Sequence, residues 1–195
     1  MAVDIPKAVI VFSGKRKSGK DFISDKLQDL IGKDNCGIMR LSGPLKSQYA
    51  KEHNLDIARL LDASEYKETY RADMIKWGET QRQKDPFYFC KLATRGSESH
   101  KPVWIISDAR RRTDINYFLQ NYTNVLATIR VVADDNIRIA RGWVKTQGID
   151  DAESECGLDD YEAWTFTIKN NSKQDVVHSS LNDIVNYVQK KLNTS

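Results

Sequence analysis

Lys15, Arg16, Lys17 and Lys20 place four cations within six consecutive positions of the segment Ser13-Gly14-Lys15-Arg16-Lys17-Ser18-Gly19-Lys20-Asp21. Gly14, four intervening residues and then Gly19-Lys20 is the spacing of a phosphate-binding loop. Backbone N–H groups close around phosphate oxygens while a lysine ammonium reaches the outer phosphates of a nucleoside triphosphate. Four cations exceed the demand of one triphosphate tail, so a second anionic substrate is expected close by. Asp21 stands where Ser or Thr usually binds magnesium; it serves either to orient metal-bound water or to stabilise the start of a helix.

A second cluster, Ser107-Asp108-Ala109-Arg110-Arg111-Arg112, follows a run of apolar residues. Asp108 is a candidate for magnesium through water, or for orienting an arginine or lysine. Arg110 and Arg111 can grip phosphate oxygens in pairs, which lysine does less selectively. The bland alternative is an ordinary helix start with Asp114 in its first turn. Arg138 and Arg141 lie three residues apart on one expected helical face, just before Gly142, where a lid arginine would close over a triphosphate and exclude water. Arg82 sits in Trp77-Gly78-Glu79-Thr80-Gln81-Arg82. Solvated helix charges are the plain alternative for Arg82 and Arg138.

His53, His100 and His178 fall in no pattern with a nucleophile, and no metal-binding pair is present. Protein-kinase signatures are absent as well. An acceptor that is already a phosphate is anionic near neutral pH and needs no general base, which suits these absences.

Such residues need a scaffold. Ala8-Val9-Ile10-Val11-Phe12 reads as a buried strand running into the loop, and Ile23, Leu27, Leu30 and Ile31 mark one face of a helix starting near Ser18. That helix terminus adds free N–H groups to the anion site. Further strands are expected over 36–41, 103–107, 127–132 and 164–168, with helical patterns between them and at the C-terminus. This alternation predicts an α/β fold: a mainly parallel five-stranded sheet with helices on both sides and ligands at the carboxyl ends of its strands. Two segments fit the alternation poorly. Residues about 44–95 suit a helical acceptor arm, and about 141–160, with the acidic run Asp150-Asp151-Ala152-Glu153-Ser154-Glu155, suit a lid. Surface helix and solvated loop are their alternatives.

With 195 residues and no repeat or long linker, the whole span 1–195 reads as one domain. A net charge of +3 makes no general polyanion receptor. Cys36, Cys90 and Cys156 are far apart and odd in number, as expected of reduced thiols in the cytosol. The opening residues do not resemble a secretory signal and no stretch suits a bilayer span. The expectation is a cytosolic protein, engaging neither membrane nor nucleic acid. A guanine-specific switch would carry an Asn-Lys-x-Asp element, and none is present. A small-metabolite or nucleotide kinase remains the alternative reading within enzymes.

The chain resembles the animal-type phosphomevalonate kinases, relatives of nucleoside monophosphate kinases with a three-layer P-loop kinase fold. The residues that carry the likeness are Phe12 through Asp21, Arg40-Leu41-Ser42-Gly43-Pro44-Leu45-Lys46, Ser107-Asp108 with Arg110-Arg111, Arg141-Gly142-Trp143-Val144, and Asp150 through Asp159. The family's own loop carries aspartate at the last position, as Asp21 does here. The resemblance implies transfer of the γ-phosphoryl group of ATP, with Mg2+, to 5-phosphomevalonate by a monomeric enzyme. It implies that Lys15, Arg16, Lys17, Ser18, Gly19, Lys20 and Asp21 hold ATP, with Asp21 toward the metal. Lys20, Arg110 and Lys17 take catalytic roles. Arg130, Arg141 and Asn171 support the nucleotide, while Arg82, Arg111 and Asn170 hold the acceptor. The family often has histidine at the position of Asn171.

Overall fold

The protein is described here from a computed structural model covering residues 5–61, 65–171 and 174–194. Five strands form one all-parallel sheet: β1 (Ala8–Ser13), β2 (Cys36–Met39), β3 (Val103–Ile106), β4 (Leu126–Val132) and β5 (Phe166–Lys169), in the order β2-β3-β1-β4-β5. All of β1 is buried, because it lies at the centre of a sheet covered on both faces, and its alternation divides the core. Ala8, Ile10 and Phe12 pack under α1 (Lys20–Ile31) and α9 (Gln174–Asn193), whose Ile23, Leu27, Leu181, Ile184 and Val188 complete that layer. Val9 and Val11 face the opposite layer, with Trp104, Ile106 and α6 (Arg112–Tyr122). Each fully buried Ile, Leu or Phe contributes about 1.5–3 kcal/mol relative to exposure. Leu30, expected on the apolar face of α1, is 48 % exposed because it lies at the edge of that face in the last turn.

Most strand ends fall within one residue of the sequence expectation, and two differ by more. β2 stops at Met39 because the next amides turn away: Leu41 and Ser42 donate their N–H groups to the Asp108 carboxylate at 2.6 and 3.1 Å. β5 begins at Phe166 because Thr128 and Thr165 pair side chain to backbone, at 3.0 and 3.1 Å, in place of ladder bonds. Trp164 instead packs at the edge of the second core layer.

Between β2 and β3 the chain is helical: α2 (Ser42–Glu52), α3 (Ile57–Leu61), α4 (Glu65–Lys84) and α5 (Tyr88–Ala93). These helices have their own apolar cluster, Tyr49, Ala50, Leu60 and Met74, with Trp77 packed against it. After β4, the short helices α7 (Asp135–Ala140) and α8 (Glu153–Cys156) flank a run of turns. No helix among the described residues is long and apolar enough to cross a membrane.

Candidate active site

The loop after β1 has the backbone its composition calls for. Lys17 (φ 61°) and Gly19 (φ 88°) are both left-handed, a conformation that costs a non-glycine residue about 1–2 kcal/mol. Gly14 admits no side chain, since a Cβ there would meet Ser18 Oγ and the Val131 carbonyl at 2.7 Å. Lys20 opens α1 and is only 8 % exposed; its Nζ donates to Asp21 Oδ1 at 3.0 Å. Asp21 therefore steadies the lysine and places a negative charge in the first turn of α1. Ser18 Oγ is buried and has no hydrogen-bond partner among the described residues, an orphaned hydroxyl in the middle of a basic loop. A buried polar atom of this kind calls for a ligand oxygen, and the donor set around it fits an anion.

The loop is braced from β5 and α7. Asn170, 7 % exposed, donates its amide to Ser18 O at 2.9 Å. Arg141 donates to Ser18 O at 3.1 Å and to Asn170 O at 2.9 Å. Arg138 is buried: its Nε donates to Arg16 O at 2.9 Å and its guanidinium stacks 3.8 Å over the Trp143 ring. The solvated-face alternative for Arg138 is thereby overturned, since a guanidinium that satisfies a loop carbonyl and covers an indole has left solvent. Asn171 is turned the other way. Its side chain accepts from Asp134 N at 2.9 Å and donates to Asp134 Oδ2 at 2.5 Å, so it fixes the start of α7. Asn170 thus lies against the loop, away from Arg82, Arg110 and Arg111.

Those three arginines converge on a cavity of about 370 Å³, reached also by Arg16 from the loop. Arg82 comes from α4 and stacks 4.8 Å from the Phe89 ring. Arg110 and Arg111 follow β3 and lead into α6. The Nε atoms of Arg82 and Arg111 are buried and have no hydrogen-bond partner among the described residues. The orienting role expected at Asp108 falls to Asp114, because the Asp108 oxygens are engaged with the amides that start α2.

Acidic residues answer the cations. Glu155 pairs with Arg110 and accepts the Arg16 backbone N–H at 3.0 Å, while Glu79 pairs with Arg111. Lys15 and Arg130 share Asp159 at 2.6 and 2.8 Å, and Arg16 pairs with Asp150 at 3.2 Å. Burial acts to raise the Asp150 pKa, but donation from Trp143 and the Thr146 amide, with Arg16 and Arg138 nearby, holds it below the usual carboxylate value. Lys17 is exposed. A second cavity, of about 440 Å³, lies on the β4 side of the loop among Lys15, Ser18, Arg130, Arg138 and Trp143. Among the described residues no group of three or more His, Cys, Asp or Glu is placed to hold a metal by itself.

As partners of these cations, Asp114, Asp159 and Glu155 carry no motif of their own in the sequence. The opposite sign of the 150–160 run was a signal in itself, but nothing local named which cation each carboxylate meets.

Residues 12–124 match the phosphomevalonate kinase family. A phosphomevalonate kinase from Drosophila melanogaster is 44 % identical over 155 residues, spanning 78 % of this chain and 82 % of the relative. In fold alone the chain is similar to TT1252 from Thermus thermophilus, at a TM-score of 0.52 and 12 % identity over 93 % of this chain and 98 % of that one. Shikimate kinase from Bacteroides thetaiotaomicron gives a TM-score of 0.50 at 10 % identity, again over 93 % and 98 %. The loop, the arginine-lined cavity and this kinship lead to one conclusion: the chain belongs to the phosphomevalonate kinase family, and its activity is phosphoryl transfer to 5-phosphomevalonate.

Proposed function

We propose that the loop from Lys15 to Asp21 holds the triphosphate of ATP and that Arg82, Arg110 and Arg111 hold the acceptor phosphate across from it. The observation that carries this reading is the 370 Å³ cavity, into which Arg16 of the loop and all three arginines open. Arg16 brings the donor loop to one side, the three arginines line another and Gly148, Ile149, Ala152, Ser154 and Glu155 a third, so the γ-phosphoryl group and an acceptor oxygen meet between them. An in-line transfer of this kind asks the protein for positioning and charge neutralisation more than for covalent chemistry.

Lys20 stabilises charge on the transferring group, and its burial beside Asp21 keeps the ammonium aimed rather than mobile. Arg110 neutralises the same group from the acceptor side, and Lys17 adds a flexible cation at the loop tip. Asp21 would hold, through water, a magnesium ion bound with the triphosphate, which would supply charge neutralisation there. The orphaned Ser18 hydroxyl belongs to the same loop. Arg141 and Asn170 hold the loop in its binding shape, and Arg130 with Lys15 lines its far flank. The helices of 44–95 serve as the acceptor arm and residues 141–160 as the lid.

An ADP-release assay with 5-phosphomevalonate, mevalonate and several nucleoside monophosphates tests the proposal. Turnover of a monophosphate in place of 5-phosphomevalonate overturns it.

A further inference from the structure

A single carboxylate ties together all three arginines of the acceptor cavity. Asp114 is 1 % exposed, in the first turn of α6. Its Oδ1 accepts from the Arg82 guanidinium at 3.1 Å, and its Oδ2 accepts the backbone N–H groups of Arg110 and Arg111 at 2.9 and 3.0 Å. The Cys90 thiol of α5 also points at Oδ1, 3.9 Å away. Burial and this carboxylate both push the Cys90 pKa upward, so the thiol stays protonated and available to donate.

Arg82 belongs to α4, in the helical segment between β2 and β3, whereas Arg110 and Arg111 belong to the sheet end. Glu79 of α4 pairs with Arg111 from a partly exposed position, where solvent weakens the contact. The Asp114 carboxylate supplies the buried link between the two sides. A buried ion pair with satisfied lone pairs has one preferred geometry, and leaving either partner alone is costly. Capping the start of α6 needs only the Oδ2 contacts; the Oδ1 contact to Arg82 is additional to it.

We infer that Asp114 is the positioning residue of the acceptor site, holding the Arg82 guanidinium in register with Arg110 and Arg111 so that the three grip one phosphate. The inference rests on the proposed acceptor role of these arginines. Asp114 borders the acceptor cavity, but both of its oxygens are taken up by protein donors, so it acts through Arg82. A misplacement of the reacting groups by about 1 Å costs on the order of 100-fold in rate.

The test is the variant Asp114→Asn, alone and combined with Arg82→Met. Asparagine keeps the size and, with its single oxygen on the Arg110 and Arg111 amides, turns its NH2 group toward Arg82. The expected result is a rise of about tenfold or more in KM for 5-phosphomevalonate with KM for ATP within about twofold, Arg82→Met giving a similar rise and the double variant little more than either single. An unchanged acceptor KM in Arg82→Met overturns the acceptor assignment itself. A raised KM in Arg82→Met but not in Asp114→Asn, or fully additive effects, overturns only the positioning role. So does a parallel loss for both substrates that follows thermal stability. Asp114→Ser, which removes the charge without adding bulk, serves if Asp114→Asn does not fold; failure of both to fold makes Asp114 a structural residue and overturns the inference.

Discussion

Glu155 accepts the backbone N–H of Arg16 at 3.0 Å, joining two residues 139 positions apart, and the same carboxylate pairs with Arg110. Glu155 therefore occupies two donors that a phosphate would use, one on the loop and one on the acceptor side. Its side chain is only 7 % exposed, so the contact is little screened. Glu155→Gln keeps the shape and removes the charge. Inorganic pyrophosphate should then compete with ATP about tenfold more tightly, a difference of about 1.4 kcal/mol and within the range of one charge-assisted hydrogen bond. An unchanged inhibition constant contradicts the shared-donor geometry.

Lys20→Met should fold and lose kcat on the order of 100- to 1,000-fold, the scale seen when one preorganised electrostatic contact to a transition state is removed. Among the described residues its ammonium donates to Asp21, so the loss falls on chemistry more than on packing. Steady-state kinetics beside a thermal melt check this; near-normal kcat rules out the catalytic role.

Gly19→Ala combines two penalties. The φ of 88° costs a residue with a Cβ about 1–2 kcal/mol, and the new methyl would collide with the Asn170 amide. Displacing Asn170 frees the Ser18 carbonyl that the amide now satisfies at 2.9 Å. Expected are a lower melting temperature and a KM for ATP raised more than that for the acceptor. Asn170→Ala in the same chain should relieve the collision but not the strain, giving a double variant less affected than the sum of the singles. Strict additivity argues against the contact.

Burial pushes the Cys36 thiol from its ordinary 9.0 up to about 12. Because the folded state holds this proton more tightly, the folded protein binds more protons than the unfolded chain between those values. Stability from this group is complete below about pH 9 and is lost as pH rises toward about 12. Cys36→Ala should flatten the alkaline arm of the stability profile, measured by denaturant midpoints across that range. A maleimide should label Cys156 before the buried Cys36 and Cys90.

The sequence by itself determined the loop, the strand that feeds it and the parallel architecture. Glycine spacing, cation type, the continuous apolar runs of the strands and the 3.6-residue period of the helices are local properties of the chain, each legible within a dozen residues. Arg110 and Arg111 were legible for the same reason, since they sit directly after a buried strand. What only the tertiary structure decided is which charge meets which. Asp114 chooses Arg82 from 32 positions away, and Glu155 reaches Arg16 across 139. Asn170 and Asn171 are adjacent and chemically identical, yet one braces the loop and the other fixes a helix start, because side chains at the end of a strand point to opposite sides. Ionic partners are set by the packing that brings elements together and by the cost of burying a charge alone, and neither leaves a period in the sequence.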